Sequence, residues 1–378
     1  MKYKEVIKFY FLLLLLLPIF LIIAIYVYDP LQIYHKSWIS EKLRLHKNMR
    51  LQASGIINNY QFDSMLLGTC MLQNSSSLDA SQKFGGNFVN MSLSGADFYE
   101  RNYILNYALK KKKIKRVIYS LDSYYLSQRT GDKEYPVSTF SYLYDNNIFN
   151  NMKVYWNDKF LSCLGSMSLS EKCIGKENSL DQPNNFMKLY GEEYRGFGKW
   201  LNDASKMSII SELDKKYKKI DPKEEINHDI EKEFLKAKEY IDKYIFGIVS
   251  KHQTTEFIFF FPPYARIKTY TMLQKNSKSF NIHKKIVKYM AYEGSKYKNM
   301  KLFAFGDRQF LDNLNNYLDF EHYTPNINTL MLNDFAENKG LLTIQNVDAY
   351  LRKMTHNVYT YDTTEYKNRI RDYLKNKH

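Results

Sequence analysis

The apolar run "FDSMLLGTC", beginning at Phe62, breaks into Gly68 and Thr69 and ends on Cys70. A thiol delivered by a strand to a tight turn is placed to act as a nucleophile. Far along the chain, "YLDFEHYTPNIN" sets Asp319 three residues before His322. An imidazole can take a proton from a thiol, and a carboxylate beside it holds the ring in one tautomer. The three side chains supply nucleophile, base and orienter for attack on an acyl carbon. Each alone has a plainer reading: Cys70 as a small buried residue, His322 as a structural or surface histidine, and Asp319 as a turn residue. The chemical reading gains from their common place in the chain, each in a turn that follows an apolar strand.

Those strands are the elements that must bring the residues together. Apolar runs predict strands at Phe62–Leu67, Asn87–Ser92, Ile114–Asp122, Glu256–Phe261 and Met300–Phe305, with helical patterns between them. Ser40 to Asn59 reads as an amphipathic helix capped by Ser40. A helix starting at Ser94 and Asp97 runs to Lys110–Lys113. Asp221-Pro222 followed by Glu224 opens another, whose apolar face runs from Ile226 through Ile230, Phe234, Ala237, Ile241 and Tyr244 to Ile248. A further helix spans about Ser279–Lys296, and Thr324-Pro325 starts a last one. From Ser127 to Ile220 no period holds, and this stretch reads as an insertion or a cap on the sheet. The fold class is therefore α/β, with a five-stranded parallel sheet covered by helices. In such sheets ligands bind beyond the carboxyl ends of the strands. There the chain places Cys70, then Ser94-Gly95, Asp122, and Pro262-Pro263-Tyr264 with Arg266 just after. Gly95 suits an oxyanion contact or a helix start. Asp122, Tyr264 and Arg266 are candidate substrate contacts, against plainer roles in packing for Tyr264 and solvation for Arg266.

The motifs "LLGTC", "NMSLSG" and "LDFEHYTPNIN" resemble the SGNH (GDSL-like) hydrolase superfamily, in its membrane-anchored extracytoplasmic branch. The likeness covers the strand framework from about Phe62 to Leu332, without the middle insertion. It implies a flavodoxin-like sheet and an esterase or O-acyltransferase acting on acyl groups of a cell-surface glycan. It also implies a membrane-bound O-acyltransferase as a partner. In the family a serine stands at the place of Cys70; the Asp-x-x-His pair falls on Asp319 and His322, and an oxyanion-hole glycine on Gly95. The backbone N–H of Cys70 would be the second oxyanion donor. Two further positions depart from the pattern: Thr69 stands where Asp is common, and the third-block asparagine has only Asp122 nearby. The rival reading is a catalytically silent protein of this fold that binds a glycan or a membrane O-acyltransferase.

Phe9 to Tyr28 is twenty residues without a charge, long enough to cross a bilayer as a helix. Lys2, Lys4 and Lys8 precede it against the single acid Glu5, and Asp29 follows. The positive-inside rule then puts residues 1–30, tip and anchor, in and across an inner membrane with the N-terminus cytoplasmic. Residues 31–378 form an extracytoplasmic, periplasmic domain carrying the 127–220 insertion. A cleaved signal peptide is the alternative, disfavoured by the length of the run and the missing small-residue cleavage site. Three cysteines leave at least one unpaired. Cys163 and Cys173, ten apart, can pair in an oxidising compartment, with Cys70 left as the free thiol. The net charge of +15 is spread along the chain except for Lys110–Lys113, which excludes a nucleic-acid footprint. The eight histidines show no metal-ligand spacing, and no phosphate-binding loop or cofactor motif occurs.

Overall fold

In the computed structural model, which describes residues 3–186, 196–202, 228–275 and 277–376, the strands are β1 (Arg44–Leu45), β2 (Ser64–Leu67), β3 (Phe88–Asn90), β4 (Arg116–Ser120), β5 (Lys176–Glu177), β6 (Glu256–Phe261) and β7 (Met300–Ala304). Five of them form one sheet in the order β3-β2-β4-β6-β7, with every pair parallel. These five fall within two residues of the strands expected from the sequence. Their apolar runs are continuous because both faces are covered. Met65, Leu67, Val117, Tyr119, Phe257 and Phe259 enter one core, while Leu66, Ile118, Ile258, Phe260 and Phe303 enter the other. The chain winds outward in both directions from β2, which lies between β3 and β4. The crevice outside the carboxyl ends of those strands is where an open parallel sheet accepts a ligand.

Helices Met49–Asn59, Phe98–Lys111 and Ser277–Gly294 cover the first face, and Pro325–Ala336 packs on the second. Two expectations need correction. Ser40 caps nothing: its hydroxyl donates to the Lys42 carbonyl, and β1 occupies the first part of the expected helix by pairing with β5. The helix starts instead at Met49, where the Asn48 side chain accepts the Arg50 N–H. Similarly, Asp97 rather than Ser94 caps Phe98–Lys111, in a capping box with Glu100. The Asp221-Pro222 start lies outside the described residues. Its apolar face continues in helix His228–Ile241 and a π-helical turn at Asp242–Phe246, burying Ile230, Ala237, Ile241, Tyr244 and Ile248. Helices Val347–Tyr359 and Thr364–Lys375, not anticipated from the sequence, complete the two faces.

The N-terminal helix Tyr3–Tyr28 is long and apolar enough to cross a membrane. Among the described residues its last turns pack on the rest of the chain, where Ile25 and Tyr28 join Leu31, Ile33, Phe140, Leu143, Val154, Tyr155 and Phe160 in a third apolar cluster. Much of the middle insertion therefore surrounds the exit of this helix. The cluster contains the disulfide between Cys163 and Cys173, and Cys70 is the free thiol. Later residues of the insertion return toward the sheet: β5 pairs with β1, and the Asp181 carboxylate accepts the Ser76 hydroxyl and the Leu78 N–H.

The exit segment is clamped to helix Met49–Asn59. Side-chain amides of Gln52, Asn58 and Asn59 donate to the carbonyls of Leu31, Ile33 and Gln32. Gly55 allows this approach, since a Cβ there would stand 2.4 Å from the Leu31 oxygen and 2.5 Å from the Gln32 oxygen. Both obstacles are backbone, so Gly55→Ala should lower stability by about 1–3 kcal/mol, the usual cost of overpacking. Denaturant unfolding in detergent micelles measures this, and limited proteolysis should show faster cutting between residues 29 and 40.

Candidate active site

Beyond β2 the chain turns sharply at Gly68, where a Cβ would meet the Ser120 hydroxyl at 2.5 Å and Leu72 Cδ1 at 2.9 Å. Thr69 caps the four-residue helix Cys70–Gln73 by accepting the Met71 N–H, so Cys70 is its first residue. The turn is held from β3 and the residues after it. The Ser92 hydroxyl accepts the Gly68 N–H at 3.2 Å, and the Asn90 amide donates to the carbonyls of Leu72 and Ser75 at 2.8 and 2.9 Å. Behind it, the Thr69 hydroxyl donates to Asp122 Oδ1 at 2.8 Å, while Asp122 Oδ2 accepts the Ser120 hydroxyl at 2.7 Å and lies 3.2 Å from Arg101 Nη2.

The second half of the site comes from the loop before helix Pro325–Ala336. Asp319 Oδ1 accepts the N–H groups of Glu321 and His322, both at 2.8 Å, and the Leu318 N–H closes the loop onto the His322 carbonyl. The three-residue spacing thus folds back on itself, and His322 Nδ1 lies 2.8 Å from Asp319 Oδ2. Nε2 points the other way, 3.0 Å from Cys70 Sγ. Residues separated by 252 positions meet as a sulfur–imidazole–carboxylate chain. Phe186 packs its ring edgewise on His322 at 5.5 Å.

Burial alone would drive the His322 imidazole toward its neutral form, but the Asp319 carboxylate and the Cys70 sulfur outweigh it and raise its pKa to about 10. Asp319 is likewise opposed by burial, yet its bonds to His322 bring it down to about 2.

Four other candidates have distinct fates. Gly95 sits at the same sheet edge, two residues past Leu93, whose N–H donates to the Gly68 carbonyl. Its φ of +64° suits glycine, and its carbonyl accepts from Arg129 at 2.8 Å. Asp122 is not a free substrate contact: Thr69, Ser120 and Arg101 occupy its carboxylate, which positions the turn that carries Cys70. Tyr264 reaches the same carboxylate with its hydroxyl at 3.4 Å and carries Lys268 over its ring. Arg266 is excluded as a substrate contact. It is 2 % exposed, and its fork is spent on Asp312 and the carbonyls of Gly306 and Arg308. A mainly apolar cavity of about 80 Å³ lies beyond β4, β6 and β7, lined by Tyr264, Leu121, Phe261 and Met354 but by neither Cys70 nor His322.

Ser92, Arg101 and Phe186 also belong to the site without having stood out in the sequence, and Thr69, noted there only as a departure from the family pattern, positions the turn. The serine and threonine sit in the quoted motifs but carry no spacing signal of their own. Arg101 and Phe186 reach the site only through tertiary packing. In comparison with known proteins, the chain matches no family model, no curated protein and no solved structure.

The Asp319 carboxylate, together with the Cys70 sulfur, keeps the imidazole charged. His322, raised from 6.5 to about 10, adds stability that is complete below 6.5 and lost as pH rises through 10. Asp319, lowered from 3.8 to about 2, adds stability above 3.8 that is lost as pH falls through 2. NMR titration of the His322 ring should therefore find a midpoint well above neutrality. In Asp319→Asn the midpoint should fall toward 6.5; equal midpoints in both proteins would mean that the pair is not formed in solution.

Proposed function

We propose that this protein is a membrane-anchored extracytoplasmic esterase or O-acyltransferase, with Cys70 as nucleophile, acting on acyl groups of a cell-surface glycan. The observation that carries the reading is the unbroken line from Cys70 Sγ through His322 to Asp319, at 3.0 and 2.8 Å. Its setting supports the SGNH-like resemblance: taken in chain order, the five sheet strands lie 2-1-3-4-5, the flavodoxin-like order, with Cys70 just past the first.

In this reading the Cys70 thiolate attacks the acyl carbonyl and the C=O electron pair moves onto oxygen. The backbone N–H groups of Cys70 and Gly95 donate to that oxyanion. As the oxyanion collapses, the C–O bond to the leaving alcohol breaks, and imidazolium His322 gives the alcohol its proton. The acyl group is now a thioester on Cys70. Neutral His322 then takes a proton from water or from a glycan hydroxyl, whose oxygen attacks the thioester. Collapse releases an acid or a transferred ester, and the thiolate–imidazolium pair is restored. Asp319 orients the ring throughout and never takes the proton.

The helix Phe9–Tyr28 with its preceding lysines supports an inner-membrane anchor with a periplasmic domain, as does a Cys163–Cys173 disulfide in the domain beyond it. One observation favours the silent alternative, a glycan- or O-acyltransferase-binding protein. Asp122 stands where the resembling family has a donor asparagine, and a carboxylate held by Arg101 cannot donate to an oxyanion.

Turnover of acyl esters by the purified chain decides between them. Cys70→Ser should keep or raise activity, while Cys70→Ala and His322→Ala should each remove several powers of ten and not add when combined. Mass spectrometry after an activated acyl ester should find the acyl group on Cys70. Equal background turnover in wild type, Cys70→Ser and His322→Ala would establish the binding protein instead. Separately, a reporter fused after His378 should be active only outside the cytoplasm; cytoplasmic activity would reverse the orientation.

A further inference from the structure

Six large apolar side chains stand in solvent around the exit of the N-terminal helix. Trp38 is 61 % exposed, Phe149 85 % and Trp156 51 %, with Ile148, Met167 and Leu169 exposed beside them. They come from four separate segments, each tied to the residues that leave the helix. The Tyr34 hydroxyl donates to the Ile148 carbonyl at 3.2 Å, and the Tyr28 hydroxyl to the Ser168 carbonyl, between Met167 and Leu169, at 2.5 Å. Tyr155, next to Trp156, donates to Asp29 at 2.5 Å. Trp38 stacks on His35 at 3.7 Å, and both rings pack edgewise on Tyr26. Exposed Lys36 and Lys153 stand two and three residues before Trp38 and Trp156 in the chain. Scattered exposed apolar residues are ordinary, but a group gathered on one end of a molecule marks a contact surface. Tryptophan beside lysine is the composition that settles at a membrane–water interface.

We propose that these six residues form a collar that inserts into the outer-leaflet interface of the bilayer crossed by the N-terminal helix. The inference rests on the reading of that helix as a membrane span. The collar is continuous with the span: Leu21 and Ala24 of the helix pack on the same apolar cluster from which the collar segments project. It is also rigid with it, because Gln52, Asn58 and Asn59 clamp the exit segment to the domain and leave no slack linker. The domain therefore rests on the membrane and presents Cys70 in a fixed orientation to it.

The three tryptophans of the chain make the test direct, since Trp200 is 1 % exposed within the second core and serves as the internal control. The full chain is reconstituted in phosphatidylcholine–phosphatidylglycerol vesicles containing lipids brominated along their acyl chains, and tryptophan fluorescence is read. The wild type should be quenched, each of Trp38→Phe and Trp156→Phe less so, and the double variant not at all. A Tyr10→Trp reporter added to the double variant checks the span itself. If that reporter is quenched while wild type matches the double variant, the span stands and the collar is overturned. If the reporter is not quenched, the span fails and the collar with it. Shielding of Trp38 and Trp156 that follows protein density rather than bromine content would assign the face to a second copy of the chain, and would also overturn the proposal.

Discussion

Arg101 is wholly buried beneath the carboxyl edge of the sheet, and a guanidinium without water must find its charge and hydrogen-bond partners inside the protein. It lies against Asp122 at 3.2 Å, donates to the Ser120 carbonyl at 2.7 Å, and stacks under Tyr119 and Phe98. Asp122, fixed in this way at the end of β4, takes the Thr69 hydroxyl from the end of β2. Thr69 in turn caps the turn that carries Cys70. Removing one partner from such a buried pair commonly costs about 3–5 kcal/mol, because the other charge is stranded. The direction of the Cys70 side chain is therefore coupled to the stability of the sheet edge. A carboxylate in this place suits holding Arg101 and Thr69 together better than assisting an oxyanion.

The histidine loop depends on its own local chemistry. Asp319 satisfies two backbone N–H groups of its turn before it meets the imidazole, so the carboxylate is already oriented by the fold. Antiparallel pairing of Tyr317 with Tyr323 closes the loop, and Thr324 with Pro325 opens the following helix. The pair is partly sheltered, with side-chain exposures of 25 % and 15 %. There the hydrogen bonds to Asp319 and Cys70, with charge–charge attraction screened less than in open water, overcome the burial that would otherwise neutralise the ring. Phe186, from the insertion, adds an apolar wall on the imidazole.

The junction between the N-terminal helix and the rest of the chain is held by polar bonds around an apolar cluster. Asp29 ends the apolar helix, and its carboxylate accepts the N–H groups of Ile33, Tyr34 and His35 as well as the Tyr155 hydroxyl. The chain thereby leaves the helix in a tight turn with its backbone groups satisfied, and Ile25, Tyr28 and Leu31 remain in the apolar cluster with Phe140 and Phe160. The insertion thus serves two ends of the molecule, packing round the helix exit with one part and touching His322 with another.

Local pattern sufficed for several features. Five apolar runs bounded by turns specify the strands, because strands buried on both faces must be apolar throughout. Asp319 and His322 are three residues apart, so their pairing needs only a turn, and the uncharged Phe9–Tyr28 run is legible from length and composition alone. Number and spacing allowed the Cys163–Cys173 pair, and the fold brings the two together. Other features depend on distance in the chain. Cys70 and His322 are 252 residues apart, and their contact exists because β2 and the loop after β7 open at one edge of a parallel sheet. The same packing turned Arg266 from a candidate substrate contact into a buried brace on Asp312, and put Arg101 under Asp122. It also replaced the first half of an expected helix with β1, whose partner β5 lies in the irregular insertion. Periodicity and composition describe what a segment buries. Which charged or polar group it buries against is decided only when the sheet order brings distant segments together, since a long-range pair leaves no mark in the local sequence of either partner.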